Sequence, residues 1–151
     1  GGAALLVCLT GSLLYSVRHV KRLSAEERVE SVDSLGDLVH YLPHTRRDLR
    51  YFIGVSITAG IVEEVVYRGF VFWYLGWFMP LWLVVIVSSI AFGLAHSYQG
   101  AAGTVRTGLV GLAFAIFYAV TGSIWQPIIG HILLDVLQGF SCLALLRKDD
   151  V

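Results

Sequence analysis

The chain has 151 residues, 56% of them hydrophobic and 15% charged, with a mean hydropathy of +0.72. A soluble domain carries about a quarter charged residues and fewer apolar ones, which excludes an ordinary water-soluble globule. The 11 Lys and Arg balance the 11 Asp and Glu, and a net charge of zero removes the basic surface that a nucleic-acid binder needs.

Five apolar blocks follow in order, to be weighed against the roughly 20 residues that a helix needs to cross a bilayer. The first, about 3–17, is short for a span. No basic residue precedes it, so a secretory signal is not expected, and the chain reads as one cut within its first transmembrane helix. The second block, about 49–77, is long for one helix and carries charges in its middle. The third runs from about 81 to 96, the fourth from 107 to 120 and the fifth from 124 to 146. Pro80 marks a tight turn after the second block, and Thr121-Gly122-Ser123 marks another after the fourth.

Between the first two blocks lies a polar connector. Ser24-Ala25-Glu26-Glu27 has capping-box spacing and predicts a short helix start. Leu35, Leu38, Val39 and Leu42 recur at helical spacing before Pro43, as in an amphipathic helix lying on a membrane surface. The expected fold is therefore all-α: a polytopic transmembrane bundle of about five spans, the first truncated, plus an interfacial amphipathic connector. The expected division is 1–48 for the partial span and connector, 49–146 for the core and 147–151 for a short cytoplasmic tail.

Alternating the spans puts Arg18, Lys21, Arg22, Arg28, Arg46, Arg47, Arg50, Arg106, Arg147 and Lys148 on one face, which the positive-inside rule makes cytoplasmic. Trp73, Trp77, Trp82 and Trp125 collect near the opposite turns, as in an aromatic belt. Gly111, Ala115 and Ala119 form a small-residue face suited to close helix approach. Cys8 and Cys142 stand in apolar segments at opposite ends and read as small packing residues.

Ionisable residues within apolar spans cost a few kcal/mol each unless paired or wet. Glu63, Glu64 and Arg68 are the first such group. Glu64 and Arg68 are four apart with the acid N-terminal, the favourable order for a pair. Glu63 is turned about 100° away and shares a face with Tyr67, so one glutamate can be neutralised while the other stays available. Ser88, Phe92 and His96 recur every four residues along the third block. His131 and Asp135 are stacked in the same way in the fifth. A packing ion pair or a hydrogen-bonded interhelical pair would explain any one of these groups alone; three helices each carrying such residues point to a shared polar site. His40 and His44 share the spacing of metal ligands, but Pro43 breaks the helix between them.

Together, Glu63-Glu64-x-x-x-Arg68, Phe92-x-x-x-His96 and His131-x-x-x-Asp135 resemble the CPBP intramembrane peptidases, which include CAAX prenyl endopeptidases and bacteriocin-processing or immunity proteins. The resemblance covers about 49–146. It implies an integral protein of a prokaryotic cell membrane, with a peptidase core whose cavity opens to the cytoplasmic side. The implied substrate is a peptide or protein, either lipidated at a CAAX-type terminus or carrying a leader, and the implied partner is the bilayer, not nucleic acid. It also implies roles: Glu63 activates the attacking water, His96 holds that water, Glu64 and Arg68 support the site, and His131 with position 135 stabilises the oxyanion. Family members often have Asn where this chain has Asp135, and an ionised carboxylate only accepts hydrogen bonds. Glu63, His96 and His131 are also a plausible ligand set for a catalytic zinc, so a glutamate-activated water and a metal-bound one are both open. The competing reading is a non-catalytic membrane protein, such as a proton-coupled transporter or an immunity scaffold.

Overall fold

The computed structural model describes residues 11, 15, 18–20 and 22–146. Most of the first apolar block, Cys8, Lys21 and the tail at 147–151 lie outside the described residues. Among those described the protein is helical throughout, with no strand. It forms two compact units, residues 1–57 with 132–151, and residues 58–131.

In the first unit the connector opens with α1 (Ala25–Asp33), capped as its sequence predicts. The Ser24 backbone N–H donates to Glu27 at 2.8 Å, and the Glu27 N–H donates to the Ser24 hydroxyl at 3.2 Å. The second connector segment is a 3-10 helix, Gly36–Tyr41, where an amphipathic α-helix was expected. Gly36 has φ of +52°, which stops an α-helix at its start, and Pro43 follows closely. The apolar side survives the change of helix type: Leu35, Leu38, Val39 and Leu42 are half-buried while Asp37 and His40 are exposed. His44 is occupied by the Val39 carbonyl, its Nε2 standing 2.9 Å away.

The long second apolar block becomes α2 (Arg46–Glu64), a π-helix (Val65–Val71) and a last turn α3 (Phe72–Leu75). Helix α4 (Leu81–Ala95) begins at Pro80, a 3-10 turn (Ser97–Gln99) follows, and α5 (Gly100–Thr121) and α6 (Trp125–Leu146) complete the chain. Gly122, at φ +65°, ends α5 in the left-handed cap that glycine supplies without strain. Segments Ser97–Thr121 and Trp125–Leu146 are long and apolar enough to cross a membrane, and Leu81–Ala95 is apolar but shorter. Only 11% and 28% of those two apolar windows are buried within the protein, so their apolar surface faces outward, as lipid requires and water penalises. Trp73, Trp77, Trp82 and Trp125 are all exposed.

Within the first unit, Phe52 of α2 sits where a Cβ on Gly139 of α6 would be, 2.7 Å away, so the helices touch through the glycine. Arg28 donates to the carbonyls of Ala144 and Leu145 at 3.3 and 2.8 Å, placing a cation on the unpaired end of α6 where the helix dipole is negative. Cys142 is buried on the same helix.

The second unit is built on the α4–α5 hairpin. A Cβ on Gly93 would lie 2.9 Å from the Thr104 carbonyl and 3.0 Å from Gly108 Cα, so the two backbones meet there with no side chain between them. Phe72, Val84, Val85 and Ala115 form a buried cluster about two turns farther along the hairpin, lined by Leu75, Leu112 and Tyr118.

Candidate active site

All polar residues singled out in the second, third and fifth apolar blocks, Asp135 apart, fall in the unit 58–131. Their positions follow from local chain geometry. Glu63 and Glu64 are the last two residues of α2, where the chain passes into the π-helix. A π-helix is closed by i→i+5 hydrogen bonds, is rare, and is frequent at functional sites. His96 caps α4 with φ −100° and ψ 19°, turning its ring back along the helix. His131 is one to two turns into α6.

The two adjacent glutamates take different imidazoles. Glu64 is fully buried, and its Oε1 accepts from Arg68 Nη1 at 2.9 Å and from His131 Nδ1 at 2.8 Å. Arg68, also fully buried, donates through Nη2 to the Gly111 carbonyl at 2.7 Å. Its guanidinium stands 4.8 Å from the Phe92 ring and 5.8 Å from that of Phe114, contacts that favour a desolvated cation. Phe92 and Phe114 also pack on the His131 ring, with centroids 5.9 and 6.0 Å away. Arg68, Glu64 and His131 thus form one sealed relay.

Glu63 faces the other way. Its Oε2 is 3.6 Å from Nε2 of His96, and the side chains are 29% and 14% exposed. His96 Nδ1 donates to the Phe92 carbonyl at 2.8 Å. A carbonyl only accepts, so Nδ1 carries a proton, and in the neutral ring Nε2 presents a lone pair. That lone pair confronts another acceptor, a carboxylate oxygen that is buried and hydrogen-bonded to no described group. Two acceptors at this spacing suit one water that donates a proton to each. Tyr67 lies edge-on to Phe92, with ring centroids 5.0 Å apart, and the Phe92 ring in turn packs on His96 at 4.8 Å.

Asp135 lies in the first unit, one turn beyond His131 on α6, and is half-buried. Among the described residues no group of three or more His, Cys, Asp or Glu side chains is gathered closely enough to hold a metal ion. Nδ1 of His131 is taken by Glu64, so a metal at this residue would be bound through Nε2, and Glu63 lies beside His96.

The π-helix, the Gly111 carbonyl and the Phe114 ring are the parts of the site that sequence patterns did not identify. Gly111 carried a signal in its small-residue face, since a Cβ there would lie 2.8 Å from Phe92 and 3.4 Å from Arg68. Nothing in Val65–Val71 announces a π-helix.

Residues 45–137 match the family model "Type II CAAX prenyl endopeptidase Rce1-like". The chain is 27% identical over 127 residues to "Putative membrane peptidase YdiL" of Bacillus subtilis (strain 168). That alignment covers 84% of this chain and 47% of the relative, so the chain spans about half the length of the curated relative it matches. No solved structure matches.

Proposed function

The chain belongs to the Rce1-like family of type II CAAX prenyl endopeptidases, and from that premise we propose that it is an intramembrane endopeptidase in which Glu63 is the general base. The observation that carries this reading is the unbonded pair of acceptors, Glu63 Oε2 and His96 Nε2, 3.6 Å apart in the more open half of the site. The sealed half, with Glu64 bound by Arg68 and His131, is built to hold charge, not to exchange protons with a substrate.

In the proposed reaction a water donates one proton toward Glu63 and its other hydrogen to His96 Nε2. Its oxygen attacks the scissile carbonyl as Glu63 takes the first proton. The negative charge that develops on the carbonyl oxygen is met by His131, acting as an imidazolium. Its Nδ1–H is held by Glu64, its Nε2–H donates to the oxyanion, and Arg68 balances the Glu64 charge. The C–N bond then breaks, and Glu63 returns its proton to the leaving amine. Asp135 takes a supporting part on the same helix, because an ionised carboxylate cannot donate to the oxyanion. No step passes through a metal.

The substrate is proposed to be a peptide or protein, with a lipidated CAAX-type terminus favoured by the family and a leader peptide as the other class. The protein is assigned to a prokaryotic cell membrane, with its site open to the cytoplasmic face on which Arg18, Arg22, Arg28, Arg46, Arg47, Arg50 and Arg106 fall.

The test is cleavage in detergent or proteoliposomes of a farnesylated CAAX-type peptide, its unprenylated counterpart and a leader-type peptide. Wild-type protein is expected to cut at least one, and Glu63→Gln to cut it at least about a hundredfold more slowly while remaining inserted and folded. Cleavage by Glu63→Gln at a rate near that of the wild type overturns the base assignment. Failure of the wild type on the whole panel returns the chain to the non-catalytic reading.

A further inference from the structure

Three buried polar atoms outside the Glu63–His96 pair make no hydrogen bond to any described group: Oε2 of Glu64, Nε of Arg68 and Oγ of Ser88. Ser88 is fully buried, and its hydroxyl makes no hydrogen bond to any described group. Nε of Arg68 is likewise buried and unpartnered. The packing puts them side by side. Along α4, Val84, Ser88 and Phe92 follow one another at four-residue intervals on one face. Val84 belongs to the cluster with Phe72 and Ala115, and Phe92 lies against Arg68 and Gly111. Phe72 is one turn beyond Arg68, and Ala115 one turn beyond Gly111. Ser88, midway between Val84 and Phe92, is therefore level with the stem of Arg68.

The guanidinium plane fixes the direction. Nε–H and one Nη2–H project from the same edge of the fork. Nη2 reaches the Gly111 carbonyl on α5, whereas Nη1, on the far side of the fork from Nε–H, reaches Glu64. The Nε–H therefore lies on the Gly111 side of the guanidinium and away from Glu64. A buried donor and a buried hydroxyl left without partners are costly, and proteins commonly satisfy such groups with an internal water.

We propose that Arg68 Nε and the Ser88 hydroxyl hold one buried water between them, which makes Ser88 a positioning residue for Arg68. The water accepts from Nε–H and hydrogen-bonds to Ser88 Oγ. It fixes the rotation of the guanidinium, and through it the carboxylate of Glu64 and the Nδ1–H of His131. Ser88 touches no reacting atom. The catalytic part of this inference rests on the peptidase reading above; the water itself does not.

Two measurements separate the two. An experimental structure of the full chain, at a resolution that shows ordered waters, is expected to contain density between Arg68 Nε and Ser88 Oγ. Kinetics of Ser88→Ala, on whichever panel peptide the wild type cuts, are expected to show kcat lowered about tenfold at unchanged KM, the scale of one lost hydrogen bond. A dry contact, or a direct Arg68–Ser88 hydrogen bond, overturns the water site. An unchanged kcat in Ser88→Ala together with a raised melting temperature, as expected if the variant merely removes an unsatisfied hydroxyl, overturns the positioning role. If the wild type cuts no peptide, the peptidase reading fails while the structure still decides the water.

Discussion

Nε2 of His96 and Oε2 of Glu63 stand 3.6 Å apart with no hydrogen bond between them, because the Phe92 carbonyl has already fixed the proton of His96 on Nδ1. The pair is held in register by α4, which ends at His96, and by the end of α2, which presents Glu63. Oε1 of the neighbouring Glu64 accepts from Arg68 and His131, while its Oε2 bonds no described group. Adjacent residues at the end of one helix therefore have different surroundings, one fully buried against Arg68 and His131 and the other partly exposed beside His96.

If Glu63 and His96 act on one water, their contributions are not additive. Glu63→Gln and His96→Ala should each lower kcat by about two to four orders of magnitude, the usual range for a positioned acid–base group. The double variant should be little worse than either single one. Rate constants that multiply would mean that the two residues act on separate steps.

Metal dependence separates the two nucleophiles. If Glu63 activates the water unaided, as proposed, cleavage should survive prolonged treatment with a strong chelator, and purified protein should carry far less than one zinc per chain. Inhibition by the chelator, reversed by zinc alone, would restore the metal-bound water as the nucleophile.

Much of this architecture is legible in the sequence, and the exceptions have physical causes. Helices Leu81–Ala95 and Trp125–Leu146 fall within a residue of the apolar blocks at 81–96 and 124–146, because Pro80 and the Thr121-Gly122-Ser123 turn interrupt the pattern sharply. Helix α5 begins at Gly100, seven residues before the apolar block at 107, since Gly100–Arg106 is polar or small yet still helical. The Glu64–Arg68 pair is readable from four-residue spacing alone. Which imidazole each glutamate faces is not, because that depends on contacts between residues 33 and 67 positions apart. The π-helix is equally hidden, since nothing in the order of residues Val65–Val71 marks a change of hydrogen-bond pattern.

Close helix approach gives a stability prediction. At Gly93 an added methyl meets backbone, the Thr104 carbonyl at 2.9 Å and Gly108 Cα at 3.0 Å, and backbone cannot rotate away. At Gly111 the nearest atom belongs to the Phe92 side chain, at 2.8 Å, which can shift. Gly93→Ala should therefore lower the melting temperature in detergent more than Gly111→Ala, with overpacking costs of about 1–3 kcal/mol. Gly111→Ala should instead impair cleavage, since moving Phe92 disturbs the seats of Arg68 and His131.

The connector supplies a pH-dependent element. Hydrogen bonds from the Ser24 backbone, then from its side chain, hold the Glu27 carboxyl below its usual 4.5. A carboxylate whose folded pKa is depressed stabilises the fold above its unfolded pKa and loses that contribution as pH falls through the folded value. The start of α1 should fray as pH drops below about 4.5, seen as faster amide exchange at Ser24 and Glu27. Ser24→Ala should fray at neutral pH and lose this pH dependence.

The sealed relay allows stability and activity to be separated. Glu64 and Arg68 are both fully buried, and removing one member breaks a buried, hydrogen-bonded ion pair, a loss of about 3–5 kcal/mol. Glu64→Leu and Arg68→Met should therefore each destabilise the protein strongly. Replacing both together removes both charges, and an apolar pair of similar volume is often neutral or better, so the double variant should melt closer to wild type than either single one. It should still be inactive, because His131 Nδ1 would have lost the carboxylate that holds its proton. A double variant that regains stability and also cleaves at the wild-type rate would show that the relay is a packing device and that the oxyanion is stabilised elsewhere.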